Sequence, residues 1–193
     1  MSAGLRERKK AATRQALHDA AVRLAMEYGV ENLTVEAIAD AAFVSRRTFS
    51  NYFSSKEQAL FHRDRTQVAR LVELVHARPE TESPLEALTR AAEQMSGEWP
   101  GSAADEQRYR TLRTHPALLP ELVATYTAFE RDLATVVEQR FRAGPDAGLQ
   151  ARFLAAAFLA VLRVVGQAAL ERPDRNVIDL IRLATPLTWQ NLR

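Results

Sequence analysis

Apolar residues recur at three- and four-residue steps along nearly the whole chain, and no stretch alternates with the two-residue period of a strand beside a hairpin turn. No repeat at solenoid spacing is present either. The pattern predicts an all-α fold of about nine helices. The first is expected over 8–28, with Leu17, Ala20, Ala21, Leu24, Ala25 and Tyr28 as its apolar stripe and Gly29 just past its end. Thr34 is placed to cap a short helix over 35–42, and Ser45 another over 46–52. Ser54-Ser55-Lys56-Glu57 reads as a capping box opening a longer helix that carries Leu60, Val68, Leu71 and Val75.

The polar, Pro-containing stretch 77–83 is the clearest candidate boundary. Beyond it, helices are expected over 84–95, 104–114, 116–142, 149–171 and 176–192, with Pro186 expected to kink or break the last. The organisation predicted is an N-terminal unit over 1–55 with its two short helices at 34–53, a connecting helix over 56–76, and a C-terminal helical domain over 77–193.

Composition narrows the class. The chain has 193 residues, 47% of them hydrophobic, and no cysteine, which excludes a disulfide scaffold and cysteine catalysis and fits a reducing cytoplasm. The run Phe153 to Leu162 is bounded by Arg152 and Arg163 and is too short to span a bilayer, so no membrane partner is expected. No GxSxG elbow, P-loop, GxGxxG or HExxH is present, and the four histidines have no partner at metal-ligand spacing. No catalytic residue, metal or cofactor is therefore assigned. His18 and His62 are read as surface-facing.

The net charge of +2 is unevenly spread: residues 1–65 carry +3, all three lysines lie there, and Arg6, Arg8, Lys9 and Lys10 form a basic arm. Such an arm fits either a solvated tail or a polyanion partner.

Two short helices joined by a tight turn and preceded by a longer one form the pattern of a helix-turn-helix. On a wheel of about 100° per residue, Phe49 and Phe53 lie within about 40° and form the buried side, so Arg47 and Asn51 point outward. Thr48 and Ser50 flank them, Arg46 and Tyr52 sit at the borders, and no acid occurs between Asp40 and Glu57. Arg can donate two parallel hydrogen bonds to guanine O6 and N7, and Asn can pair with adenine N6 and N7. A helical protein-binding module, or an enzyme without a recognisable motif, is the competing reading.

Residues 14–63 resemble the N-terminal domain of TetR-family transcriptional regulators, through AAVRLAMEYG, LTVEAIADAA, VS followed by TF and YF, and SKEQAL. The resemblance implies an all-helical homodimer, in which three N-terminal helices bind an inverted-repeat operator in double-stranded DNA and the remaining helices bind a small effector and dimerise. It implies phosphate contacts from Thr34, Tyr52 and Lys56, with Ser45 to Tyr52 as the recognition helix and Lys9 and Lys10 beside it. The family usually has Gly where Phe43 stands, so an altered turn or a strain of roughly 1 kcal/mol is expected there. In the C-terminal half the likeness is one of layout. Trp99, Tyr109, His115, Tyr126, Phe129 and Phe158 are the candidate pocket residues, for an effector such as an acyl-CoA or another lipophile. Arg152 and Arg163 share a helix face with Gln167 nearby, and fit either a ligand anion site or, with Ile181, the rim of a dimer interface. Repression relieved by the effector, in the cytoplasm, is the mode the resemblance implies.

Overall fold

The computed structural model describes residues 3–97, 109–172 and 174–189, and among these it is helical with no strand. The helices are α1 (Ala3–Tyr28), α2 (Val35–Ala41), α3 (Arg46–Ser50), α4 (Lys56–Leu60), α5 (His62–His76), α6 (Pro84–Gly97), α7 (described over 109–113), α8 (Leu119–Glu138), α9 (Ala147–Glu171) and α10 (Val177–Trp189). A 3-10 turn at Pro116–Leu118 precedes α8. The chain divides into two compact units, Met1–Thr66 with Ala104–Thr125, and Gln67–Ala103 with Tyr126–Arg193.

Side-chain caps fix the ends of the short helices in the first unit. Thr34, Ser45 and Ser55 each accept, through the hydroxyl, the N–H three residues on: Ala37 at 3.1 Å, Thr48 at 3.0 Å and Gln58 at 3.1 Å. Each such cap is worth about 1 kcal/mol. Gln58 returns the bond by accepting the Ser54 N–H at 3.2 Å, one residue earlier than the capping box expected from Ser54. Gly29 ends α1 at φ +87°, a conformation open to glycine. The core joins Leu17, Ala21, Ile38, Phe49, Phe53, Leu60 and Phe61, and Leu112 and Leu118 pack into it as well. The stretch 109–118 therefore completes the N-terminal unit, which no periodicity in the first 65 residues announces.

Three local expectations differ from the structure. The helix expected through 55–76 is broken at Phe61, which is buried and non-helical at φ −89°, ψ 10°, so α4 and α5 are separate. Burying that ring in the head core outweighs helix continuity. His18 is buried, not surface-facing, and His62 is half-buried. α10 continues through Pro186 to Trp189, since the ring removes a single backbone donor.

In the second unit, Leu71, Val75, Leu88, Leu133, Val137, Phe158 and Ile181 form a single apolar core from five helices. The expected boundary stretch is a tied turn inside this unit: the Arg140 guanidinium donates to the carbonyls of Val75 (2.8 Å), Arg78 (2.8 Å) and Pro79 (2.7 Å). Ser83 and Glu86 cap α6 reciprocally. By length and composition α9 as a whole is long and apolar enough to cross a membrane, further than the ten-residue run in its middle implied. One face of it, Ala151, Leu154, Ala155, Phe158 and Leu159, lies in the core.

Candidate nucleic-acid interface

A one-and-a-half-turn helix holds its shape only if both ends and one face are fixed. In α3 the Ser45 hydroxyl caps the start and also lies 2.9 Å from the Thr48 hydroxyl. Phe49 is buried and its ring lies 5.8 Å from that of Phe53, so the two aromatics anchor the inner side as the wheel predicted. Arg47 and Asn51 are exposed. Asn51 is the C-cap residue, one position beyond the helix that was expected to run to Tyr52. Its backbone stays right-handed at φ −75°, ψ −16°, so its side chain continues the helical face. The chemistry presented is one guanidinium and one carboxamide, the two side chains that pair two-pronged with purine edges.

The other expected contacts fall into two groups. Arg46 is exposed but paired with Glu36 at 2.8 Å. Thr34 and Ser45 spend their oxygen lone pairs on caps, which leaves each hydroxyl hydrogen able to donate to an anion. Ser50 donates to the Arg46 carbonyl at 3.2 Å, which ties its side chain to its own helix. Lys9 and Lys10 are exposed on the first turns of α1. The Arg14 guanidinium, absent from the expected set, lies 5.7 Å over the Tyr52 ring; its place seven residues before Ala21 on the core-facing side of α1 could have signalled it.

Lys56 requires a correction. Its ammonium donates to the carbonyls of Leu33 (2.8 Å) and Val30 (3.2 Å), which closes the α1–α2 loop onto the start of α4. The expected free phosphate lysine is thus occupied by two backbone acceptors, because the loop has carbonyls that no helix satisfies.

In the turn before α3, Phe43 takes φ +56° and is 96% exposed. The strain expected there is present, at the left-handed conformation the family's glycine adopts without cost.

Behind the reading surface lies a buried polar cluster. The Nδ1–H of His18 donates to the Ala59 carbonyl at 2.8 Å. The Tyr109 hydroxyl donates to the Asp64 carboxylate at 2.7 Å and lies 2.9 Å from the Leu60 carbonyl; Arg113 pairs with Asp64 at 3.2 Å. Burial pushes the Tyr109 phenol well above its ordinary value, and the Asp64 charge adds to this. Burial likewise lowers His18. His62, 5.8 Å from the His18 ring, is lowered to about 4, by partial burial first and by His18 second.

The six candidate pocket residues are not brought together. Tyr109 belongs to the first unit, tied by the bonds just described, because its phenol satisfies the Asp64 carboxylate. His115 is there too: its Nδ1 accepts the Ala117 N–H at 3.3 Å, so Nε2–H faces Glu31 at 3.1 Å. Trp99 lies outside the described residues. In the second unit Phe129 and Phe158 are closed into the core, and Tyr126 is half-buried with its ring 5.9 Å from Phe129. Two surface grooves of about 350 and 500 Å³ occur in this unit, rimmed by Arg90, Glu93 and Arg182 in one and Glu130, Thr135 and Arg152 in the other.

At the candidate dimer surface, Arg152, Arg163 and Gln167 are exposed on α9. Arg152 lies 3.8 Å from Glu130, and Gln167 donates to Glu171 at 2.7 Å. Ile181 is corrected: at 2% exposure it is core of its own chain and has no surface to offer a partner. The same outer side of α9 carries Phe153 (66% exposed), Val164 (53%) and Leu149.

Comparison with known proteins agrees with this geometry. The family model for bacterial regulatory proteins of the tetR family matches residues 17–62, and that of the MftR C-terminal domain matches 82–190. The HTH-type transcriptional regulator TcmR of Streptomyces glaucescens is 32% identical over 197 residues, spanning 98% of this chain and 87% of that protein. Similar folds include the TetR-family repressor FadR of Thermus thermophilus, solved with lauroyl-CoA (TM-score 0.55, 21% identity, 93% of this chain and 95% of that one). NalD, the secondary repressor of the MexAB-OprM efflux pump in Pseudomonas aeruginosa, is another (TM-score 0.58, 19% identity, 95% and 96%). At these identities the solved structures speak to fold alone.

Proposed function

Since the chain belongs to the bacterial tetR family and is a sequence-specific DNA-binding transcriptional regulator, we propose that it is a repressor whose Arg47 and Asn51 read base edges in the major groove. The observation that carries this reading is the construction of α3: capped by Ser45, anchored by Phe49, and exposing a guanidinium and a carboxamide with no acid beside them. Thr34 and Tyr52 are the positioning contacts to phosphate, aided by Ser45, Thr48, Lys9 and Lys10, which carry no sequence information themselves. Arg46 can join them by exchanging Glu36 for phosphate, and Lys56 acts by holding the α1–α2 loop.

One such helix reads too few bases to define a site, so a two-fold dimer on an inverted repeat is expected, with half-sites roughly 34–36 Å apart or a little more. The outer side of α9, where Phe153 and Val164 stand exposed, is the surface we assign to the partner copy, with Arg152, Arg163 and Gln167 along it. That face also accounts for a helix apolar enough to cross a membrane in a protein that acts on DNA in the cytoplasm.

The effector we propose is a small, largely apolar molecule such as an acyl thioester, taken into the core that Phe129 and Phe158 now fill, beside Tyr126. The lauroyl-CoA complex of the Thermus relative favours that class. By linkage, a ligand that releases DNA must itself be weakened by DNA to the same factor. Retarded migration of the DNA upstream of the protein's own gene, reversed by lauroyl-CoA, is the expected result. Retardation that no acyl thioester relieves would remove the effector assignment and leave the DNA reading intact. No preference for any duplex over random sequence would remove both.

A further inference from the structure

The helix α1 begins at Ala3, while its first core residue is Leu17. Residues 4–12 are exposed, so more than two turns of helix project past the core they belong to. A helix keeps its faces along its length. Stepping back from Ala21 by four, three, four and four residues passes through Leu17, Arg14, Lys10 and Arg6. The side that is apolar inside the unit is therefore cationic where it overhangs. A solvated helix end has no reason to place its cations on the core-facing line and leave only Glu7 as an acid nearby. At the inner end of the line, Arg14 lies over the Tyr52 ring, and Tyr52 follows directly on the reading helix.

We propose that Arg6, Lys10 and Arg14 form a cationic rail that lies along the DNA phosphate backbone next to the major groove read by α3. It rests on the DNA reading above and adds to it a second contact that is blind to sequence. From Arg6 to Arg14 the rail is about 12 Å long, enough to face more than one phosphate. Arg6 and Lys10 make no hydrogen bond or ion pair with other described residues, so engaging phosphate breaks nothing in the free protein. Lys9 stands on its flank. Arg8 points away, with Nε donating to the Gly4 carbonyl at 3.2 Å, and Arg23 is exposed on the same outer side.

The test compares two charge-matched double variants of the full-length protein, Arg6→Ala/Lys10→Ala and Arg8→Ala/Arg23→Ala, by fluorescence anisotropy over a salt series. Both remove two positive charges, so a general field affects them alike. The rail variant is expected to reduce the slope of log affinity against log salt by about two, and to weaken operator and unrelated duplex alike by about tenfold. The ranking of operator variants should be unchanged, and so should Tm, since the overhang lies outside the core. The outer-face variant is expected to keep the wild-type slope. Equal losses in both variants would overturn the rail, as would an unchanged slope in Arg6→Ala/Lys10→Ala while wild type still selects its operator. Loss of polyglutamate binding with DNA binding intact would overturn it in favour of an acidic protein partner. Wild type that prefers no duplex would sink the DNA reading and the rail together.

Discussion

The unit carrying α3 removes His18, Asp64 and Thr125 from water, and it gives the first two short, directed partners in Ala59, Tyr109 and Arg113. The unit carrying α9 buries only Thr185 among its described polar side chains, and that hydroxyl donates to Ile181 within its own helix. Directed bonds between separate segments set distances and angles, whereas apolar contacts fill volume and tolerate repacking. A surface that must match base edges needs the first kind of interior. A unit that must admit a ligand and a partner copy is served by the second. The same contrast appears outside: α3 shows water a guanidinium and a carboxamide, while α9 shows it Phe153 and Val164.

The largest effect that would test the contrast lies on α9. Val164→Asp is expected to raise the dimer dissociation constant at least about a hundredfold, or about 2.7 kcal/mol, while leaving helicity unchanged. Sedimentation velocity gives the answer; a dimer as tight as wild type would mean that this face meets solvent. Next come paired deletions of a buried hydroxyl. Tyr109→Phe removes a partner from the buried Asp64 and should cost about 1–3 kcal/mol in chemical unfolding. Thr185→Val orphans nothing, since the Ile181 carbonyl keeps its helical bond, and should cost well under that. Equal costs would erase the distinction between the two interiors.

The smallest expected effect is one of pH. His62 is held at about 4 against an ordinary 6.5, and His18 is lowered too, so the unfolded chain takes up these protons first as pH falls. Stability contributed by the neutral imidazoles is then present above about 6.5 and declines as pH drops toward about 4. Melting curves should show Tm falling through that window, with a shallower fall in His62→Gln. An identical fall in that variant would place the titration elsewhere.

Much of the reading surface is legible in the sequence because local chemistry decides it. Thr34, Ser45 and Ser55 cap the helices expected of them, the four-residue step from Phe49 to Phe53 fixes which side of α3 is hidden, and Phe43 shows its strain as a missing glycine. What was not legible is long-range. Lys56 reads as a surface cation until the chain folds two unsatisfied carbonyls within its reach. His18 and Tyr109 are far apart in sequence, and no periodicity shows that they meet, with ring centres 6.0 Å apart. In the second unit, Ile181 and Phe158 belong to the same apolar pattern as Phe153 and Val164. Only packing tells the hidden members from the exposed ones.

The most direct test of the account is the specificity of Arg47→Ala. Sites are first selected from random duplexes by the wild-type protein, and affinities are then measured for every single-base variant of the preferred site. The account predicts an inverted repeat bound by one dimer. It also predicts that Arg47→Ala loses about 1–3 kcal/mol, with preference relaxed at one base pair per half-site and retained at the others. A uniform loss across all variants, with their ranking preserved, would show that Arg47 only holds phosphate and that another surface reads the bases.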